Sequence, residues 1–173
     1  NVTIAVIDDF IDDTIFHFQA RFKECLSRVS LKTPFGSNHK PFFNQSHGEL
    51  MLLALGACNG VRGLSAGIDQ KASLWAVERA DVGQAQTMAA AFYAAGIDIC
   101  QESIIPCPSF PSYSPGPKAD IIVLPFAHGA PQLLQFFSDT IASLQARKSI
   151  IVTSAGNDGK EASYYFPGNI AGV

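Results

Sequence analysis

The sequence is poor in charge, in cysteine and in long apolar runs. Charged residues make up 16% of the 173, with 12 Lys plus Arg against 15 Asp plus Glu and a formal net charge of −3. No run of like charge occurs, so the chain offers no electrostatic footprint to nucleic acid or to an anionic lipid surface. No apolar stretch reaches the roughly 18 residues a membrane-spanning helix needs, and the N-terminus opens on a strand pattern with no charged region ahead of it. The expectation is of no nucleic-acid and no membrane partner. The four cysteines, Cys25, Cys58, Cys100 and Cys107, are too few and too scattered for a small disulfide scaffold. None of them is paired at C-x-x-C spacing, which argues against structural zinc.

What is present is apolar side chain. At 47% hydrophobic residues the chain can offset its ordering entropy by burial, and its length fits one domain. Val2-Thr3-Ile4-Ala5-Val6-Ile7 is a continuous apolar run ending in Asp8-Asp9, the pattern of a strand buried on both faces of a parallel sheet. Residues 12–29 have mostly helical spacing, and 30–46 read as a loop. Ser46 is a suitable N-cap with Glu49 three residues on, so His47 falls in the first turn of a mostly buried helix that ends near Gly56. Strands are expected at 72–77, 97–100, 121–124 and 149–154, and helices at 84–95 and 131–147. Residues 105–118 are a Pro-rich loop or insertion. Strands alternating with helices imply an α/β fold: a doubly wound, mostly parallel sheet with helices on both faces and its site outside the strands' carboxyl ends.

Three polar residues fall where that rule points: Asp8 after the first strand, His47 opening a buried helix, and Asn157 after the last strand. Singly, each has a bland reading as a strand-end carboxylate, a helix-terminus polar group and a turn residue tolerant of positive φ. Together they sit in Ile4-Ala5-Val6-Ile7-Asp8, Ser46-His47-Gly48, Ala72-Ser73-Leu74-Trp75-Ala76-Val77 and Ile151-Val152-Thr153-Ser154-Ala155-Gly156-Asn157-Asp158-Gly159. In order and approximate spacing these segments resemble the subtilisin-like serine peptidases, the Ala-Gly-Asn-Asp-Gly segment most specifically.

That resemblance implies a serine endopeptidase acting on peptide or protein substrates without a cofactor. Asp8 would orient His47, His47 would act as general base, and the Asn157 amide would donate to the oxyanion. The nucleophilic Ser of the family lies in a Gly-Thr-Ser segment beyond the Ala-Gly-Asn strand, and no Gly-Thr-Ser occurs in this sequence. The chain therefore reads as the N-terminal part of a catalytic domain, incomplete at its C-terminus, with Ser supplied by a following segment or a second chain. Residues 169–173 read as the start of the next strand. The family resemblance also leans toward secretion, and the N-glycosylation triplet Asn44-Gln45-Ser46 is compatible with it.

Departures from the family pattern are specific. Asp9 and Phe10 follow the Asp where Ser or Thr and Gly are usual, and His47-Gly48-Glu49-Leu50 replaces His-Gly-Thr-His. The turn Cys58–Gly63 has only Asn59 as a side-chain oxygen ligand, so no metal is expected there. For the substrate groove, Ser103 and Ile104 match by register, with Pro125-Phe126-Ala127 as the second possibility. A competing motif, Gly63-Leu64-Ser65-Ala66-Gly67, fits the nucleophile elbow of an α/β-hydrolase, with Asp98 or Asp120 and then His128 completing the set. An elbow needs a strand before Ser65 and a helix after it, which the flanking residues do not supply. The other functional class is a catalytically inactive module that binds a peptide or a partner.

Overall fold

The computed structural model of the chain describes residues 1–8, 29–32, 47–56, 67–69, 71–78, 84–98, 116–127, 129 and 134–173. The N-terminal apolar run forms β1 (Thr3–Asp8), buried from Ile4 onward. Among the described residues it is the middle strand of a five-stranded sheet of order β2-β3-β1-β4-β5, with β2 at Val29–Lys32, β3 at Ser73–Glu78, β4 at Ile121–Leu124 and β5 at Ile150–Thr153. Every pairing is parallel, with Asp8 opposite Glu78 at the end of β3 and Val6 opposite Val123 in β4. A central parallel strand is covered on both faces, so aliphatic runs rather than alternation identify β1 and β4.

Helices lie on both sides. On one face α1 (His47–Gly56) packs Leu52 against Ile4, Val6, Leu74, Ala76 and Val123. On the other, α2 (Gln84–Ala94) and α3 (Leu134–Ala146) bring Met88, Phe92, Phe137, Ile141 and Leu144 onto Ile7, Val77, Ile122, Leu124 and Ile151. Ala89, Ala90, Ala91 and Ala94 of α2 are buried without bulk, which lets that helix sit close to both the sheet and α3. Gly96 ends it in the left-handed region at φ 69°, and Ile97 N–H returns to the Phe92 carbonyl, satisfying an orphan acceptor. Phe137 meets Phe166 from the C-terminal segment with ring centroids 4.8 Å apart.

The sheet differs from the sequence expectation in three places. Val29–Lys32, expected as a helix end and loop, is an edge strand. Such a strand is too short to announce itself, and Lys32 guards it by placing its ammonium over the Trp75 ring at 5.5 Å. Of the strand expected over 97–100, Ile97 and Asp98 are irregular, because Ile97 is spent closing α2, and residues 99–100 lie outside the described residues. Residues 169–173 are turns, with Gln145 Nε2 donating to the Gly172 carbonyl at 2.7 Å. Residues 12–28 of the helix expected over 12–29, and residues 105–115 of the Pro-rich segment, lie outside the described residues.

Phe137 is fully buried where α2, α3 and the C-terminal segment meet. Phe137→Ala is expected to lower stability by about 3–5 kcal/mol, read as a fall in the urea midpoint with little change in the slope.

Candidate active site

Asp8 closes β1 at the sheet's carboxyl edge, and only 5% of its side chain is exposed. His47 opens α1 directly opposite, and its Nδ1 lies 2.6 Å from Asp8 Oδ2. A carboxylate held that far from water requires such a partner. With Asp8 ionised, Nδ1–H is the donor and Nε2 keeps its lone pair. The imidazole is half exposed, and Nε2 has no hydrogen-bond partner among the described residues. The pair thus consists of a buried carboxylate and a half-exposed imidazole.

Asn157 reaches the same edge from β5. After Thr153 the chain passes through Ser154 and Ala155 to Gly156, whose φ of 92° is a turn conformation that favours glycine. A Cβ there would also stand 2.7 Å from the Tyr165 ring. The turn leaves Asn157 exposed on the wall of an open cleft of about 440 Å3 that His47 also lines. Pro125, Phe126 and Ala127, following β4, form another part of the lining. Thr153 Oγ1 donates to the Phe126 carbonyl at 3.3 Å and ties the ends of β4 and β5 together. The cleft therefore combines a base, an amide donor and strand-end backbone.

Of the residues expected at the site, Asp8 and His47 meet directly and Asn157 shares their cleft. Ser103 and Ile104 lie outside the described residues; the second possibility, Pro125-Phe126-Ala127, lines the cleft because β4 is the neighbour of β5. For the elbow, Ser65 and His128 lie outside the described residues. Asp120 precedes β4 at the sheet's amino edge, where its carboxylate accepts the Thr3 N–H at 2.9 Å. Gly67–Asp69 are irregular, with Ile68 and Asp69 N–H groups donating to the last carbonyls of α1. The four cysteines and the Cys58–Gly63 turn also lie outside the described residues. Among the described residues no helix is long and apolar enough to cross a membrane, and no group of three His, Cys, Asp or Glu could hold a metal.

Sequence reasoning missed Tyr165. It lies eight residues beyond Asn157, just after a short 3-10 helix (Ala162–Tyr164), in a stretch whose sequence carries neither helical nor alternating periodicity, so no local signal points to it. In the structure its ring is buried against Gly156 and its hydroxyl donates to Asp158 Oδ2 at 2.6 Å.

No family model matches the chain, and no curated protein matches it. Solved structures do. One is the S41 psychrophilic protease, with a TM-score of 0.60 and 19% identity, covering 99% of this chain and 51% of that one. Another belongs to the proteases from Pseudoalteromonas arctica, with a TM-score of 0.59 and 16% identity, covering 100% of this chain and 55% of that one. The chain shares the fold of these proteases and spans about half their length.

The hydrogen bond to Asp158, with burial and the nearby carboxylate charge behind it, raises the Tyr165 pKa above its ordinary 10.0. A raised native pKa means the fold favours the protonated phenol. Its contribution to stability is complete below pH 10 and is lost as pH climbs through the higher native value. Asp158→Asn removes the charged acceptor and is expected to bring this titration down toward the ordinary value. Absorbance titration of tyrosinate against the parent reads the change. Tyr93, raised by its own burial, should not move.

Proposed function

We propose that the chain is the N-terminal portion of one subtilisin-like catalytic domain and contributes to hydrolysis of peptide bonds by a serine nucleophile. The observation that carries this reading is the 2.6 Å contact between Asp8 and His47, at a cleft that Asn157 also lines. The protease fold of the solved structures supports it. In this reading the nucleophilic Ser comes from a segment following Val173 or from a second chain.

The residues then divide the chemistry. His47 Nε2 takes the Ser proton as the hydroxyl oxygen forms its bond to the scissile carbonyl carbon. Asp8 holds the ring in the required tautomer and stabilises its cation. The carbonyl oxygen becomes an oxyanion, to which the Asn157 side-chain amide donates. On collapse, the C–N bond breaks and the leaving amine takes the proton from His47. Water, deprotonated by the same imidazole, then releases the acyl group from Ser.

The apolar surface supports a further segment. β5 places Ile151 in the core under α3, so Ile150 and Val152 face the α1 side of the sheet beside Ile121 and Val123. The helix α1 lies over β1 and β3, and Ile150 and Val152 are left 62% and 46% exposed. Leu50 on α1 is 58% exposed. Covering three such side chains would contribute several kcal/mol at ~25 cal/mol per Å2. We assign this face to the segment that carries the nucleophile, which fits the doubled length of the two proteases.

A fluorophosphonate probe on native material is expected to label a Ser beyond Val173 or on a co-purifying polypeptide, and no residue within 1–173. A Ser65 adduct would overturn this reading in favour of the elbow. No adduct on any polypeptide would move it to the non-catalytic module. In unlabelled material from a preparation shown to react with the probe, Asp8→Asn should lower kcat by about 10^4, as for the corresponding change in a triad protease. Asn157→Ala should lower it by about 10^2–10^3, the range known for subtilisin itself when this donor is lost.

A further inference from the structure

We propose that Tyr165 is a positioning residue that fixes Asn157 for oxyanion binding, a role that rests on the peptidase reading above. Tyr165 touches both chain neighbours of Asn157. Its ring lies against Gly156, so close that the pro-Cβ position of that glycine is 2.7 Å from Cδ2 and 2.8 Å from Cε2. Its hydroxyl donates to Asp158 Oδ2 at 2.6 Å. Tyr165 is itself only 8% exposed and is followed by Phe166, which is anchored on Phe137 in the core. One ring therefore connects the flanks of an exposed turn to the hydrophobic interior.

The need for such a clasp follows from the turn. Asn157 is exposed, and no hydrogen bond of its own side chain to the described residues holds it. A donor acts on a transition state only if it is in place before charge develops, because reorientation during the reaction cancels part of the gain. Gly156 supplies the required φ but also the greatest backbone freedom of any residue. Packing on one side and a charge-assisted hydrogen bond on the other restrict that freedom without occupying the Asn157 amide. The clasp should affect the reacting state more than substrate binding.

The test uses the full-length protein carrying the nucleophilic segment, with two readouts. In Tyr165→Phe, which keeps the ring, amide hydrogen exchange across 155–159 is expected to quicken about tenfold while the rest of the sheet is unchanged. On a peptide substrate kcat should fall about tenfold with KM within about twofold. Asp158→Ala should match it, the double variant should be no worse than either single one, and Asp158→Asn, which keeps an acceptor, should recover part of the loss. Unchanged exchange would overturn the clasp. So would faster exchange with parental kcat, additive losses in the double variant, or a loss confined to KM. If Asn157→Ala itself leaves kcat at the parental value, the peptidase role of Asn157 fails, and with it the positioning role; the exchange data then report separately whether Tyr165 holds the turn.

Discussion

The parallel pairing of β1 between β3 and β4 is the constraint on which the site depends. It makes β1 the most buried strand and sends its last residue, Asp8, out at the carboxyl edge with almost none of its side chain in water. Removing a carboxylate from water is costly unless it is paired and hydrogen-bonded. His47 supplies that pairing through Nδ1, and the contact also fixes the direction of the imidazole. The cost of burying Asp8 is thus offset by the same interaction that orients the imidazole.

Because all the strands point one way, their ends can be combined without long excursions of the chain. Asp8 comes from β1, Pro125-Phe126-Ala127 from the end of β4, and Asn157 from the turn after β5, three adjacent strands of one sheet. The Thr153 hydroxyl on the Phe126 carbonyl joins the ends of β4 and β5, and Tyr165 restrains the turn after β5. The apolar residues beneath the cleft, Val123 and Val152, are register partners on the side of the sheet that α1 covers only in part.

Much of this was legible from residues whose pattern has a single strong physical reading. Continuous aliphatic runs gave β1 and β4, since only strands covered on both faces tolerate them. Ser46 and Glu49 around His47 predicted a helix start within the first turn, and α1 begins at His47. Asp8, His47 and Asn157 were singled out by their strand-end and helix-start positions together with the resemblance to subtilisin-like peptidases, and the structure brings Asp8 and His47 into contact, with Asn157 on the same cleft. The residues that were missed lack such signals. An edge strand of four residues such as Val29–Lys32 is too short to show a period, and Ile97 has strand composition but is consumed by the close of α2. Tyr165 acts through a contact that only the folded turn creates. That Pro125-Phe126-Ala127 line the cleft follows from β4 neighbouring β5, and strand order is not written in local sequence; Ser103 and Ile104 lie outside the described residues.

The central position of β1 also has a kinetic side. Its partners come from distant parts of the chain, as the bond from the Thr3 amide to the Asp120 carboxylate, spanning 117 residues, illustrates. Pairings of such long range require a large loop to close before any contact repays its entropy, so they form late and slowly. Until β4 arrives, one side of Ile4-Ala5-Val6 has unpaired backbone groups and apolar side chains, a template for pairing with another molecule. The feature that makes Asp8 so well sheltered in the finished sheet is therefore built from pairings that carry a large loop-closure cost.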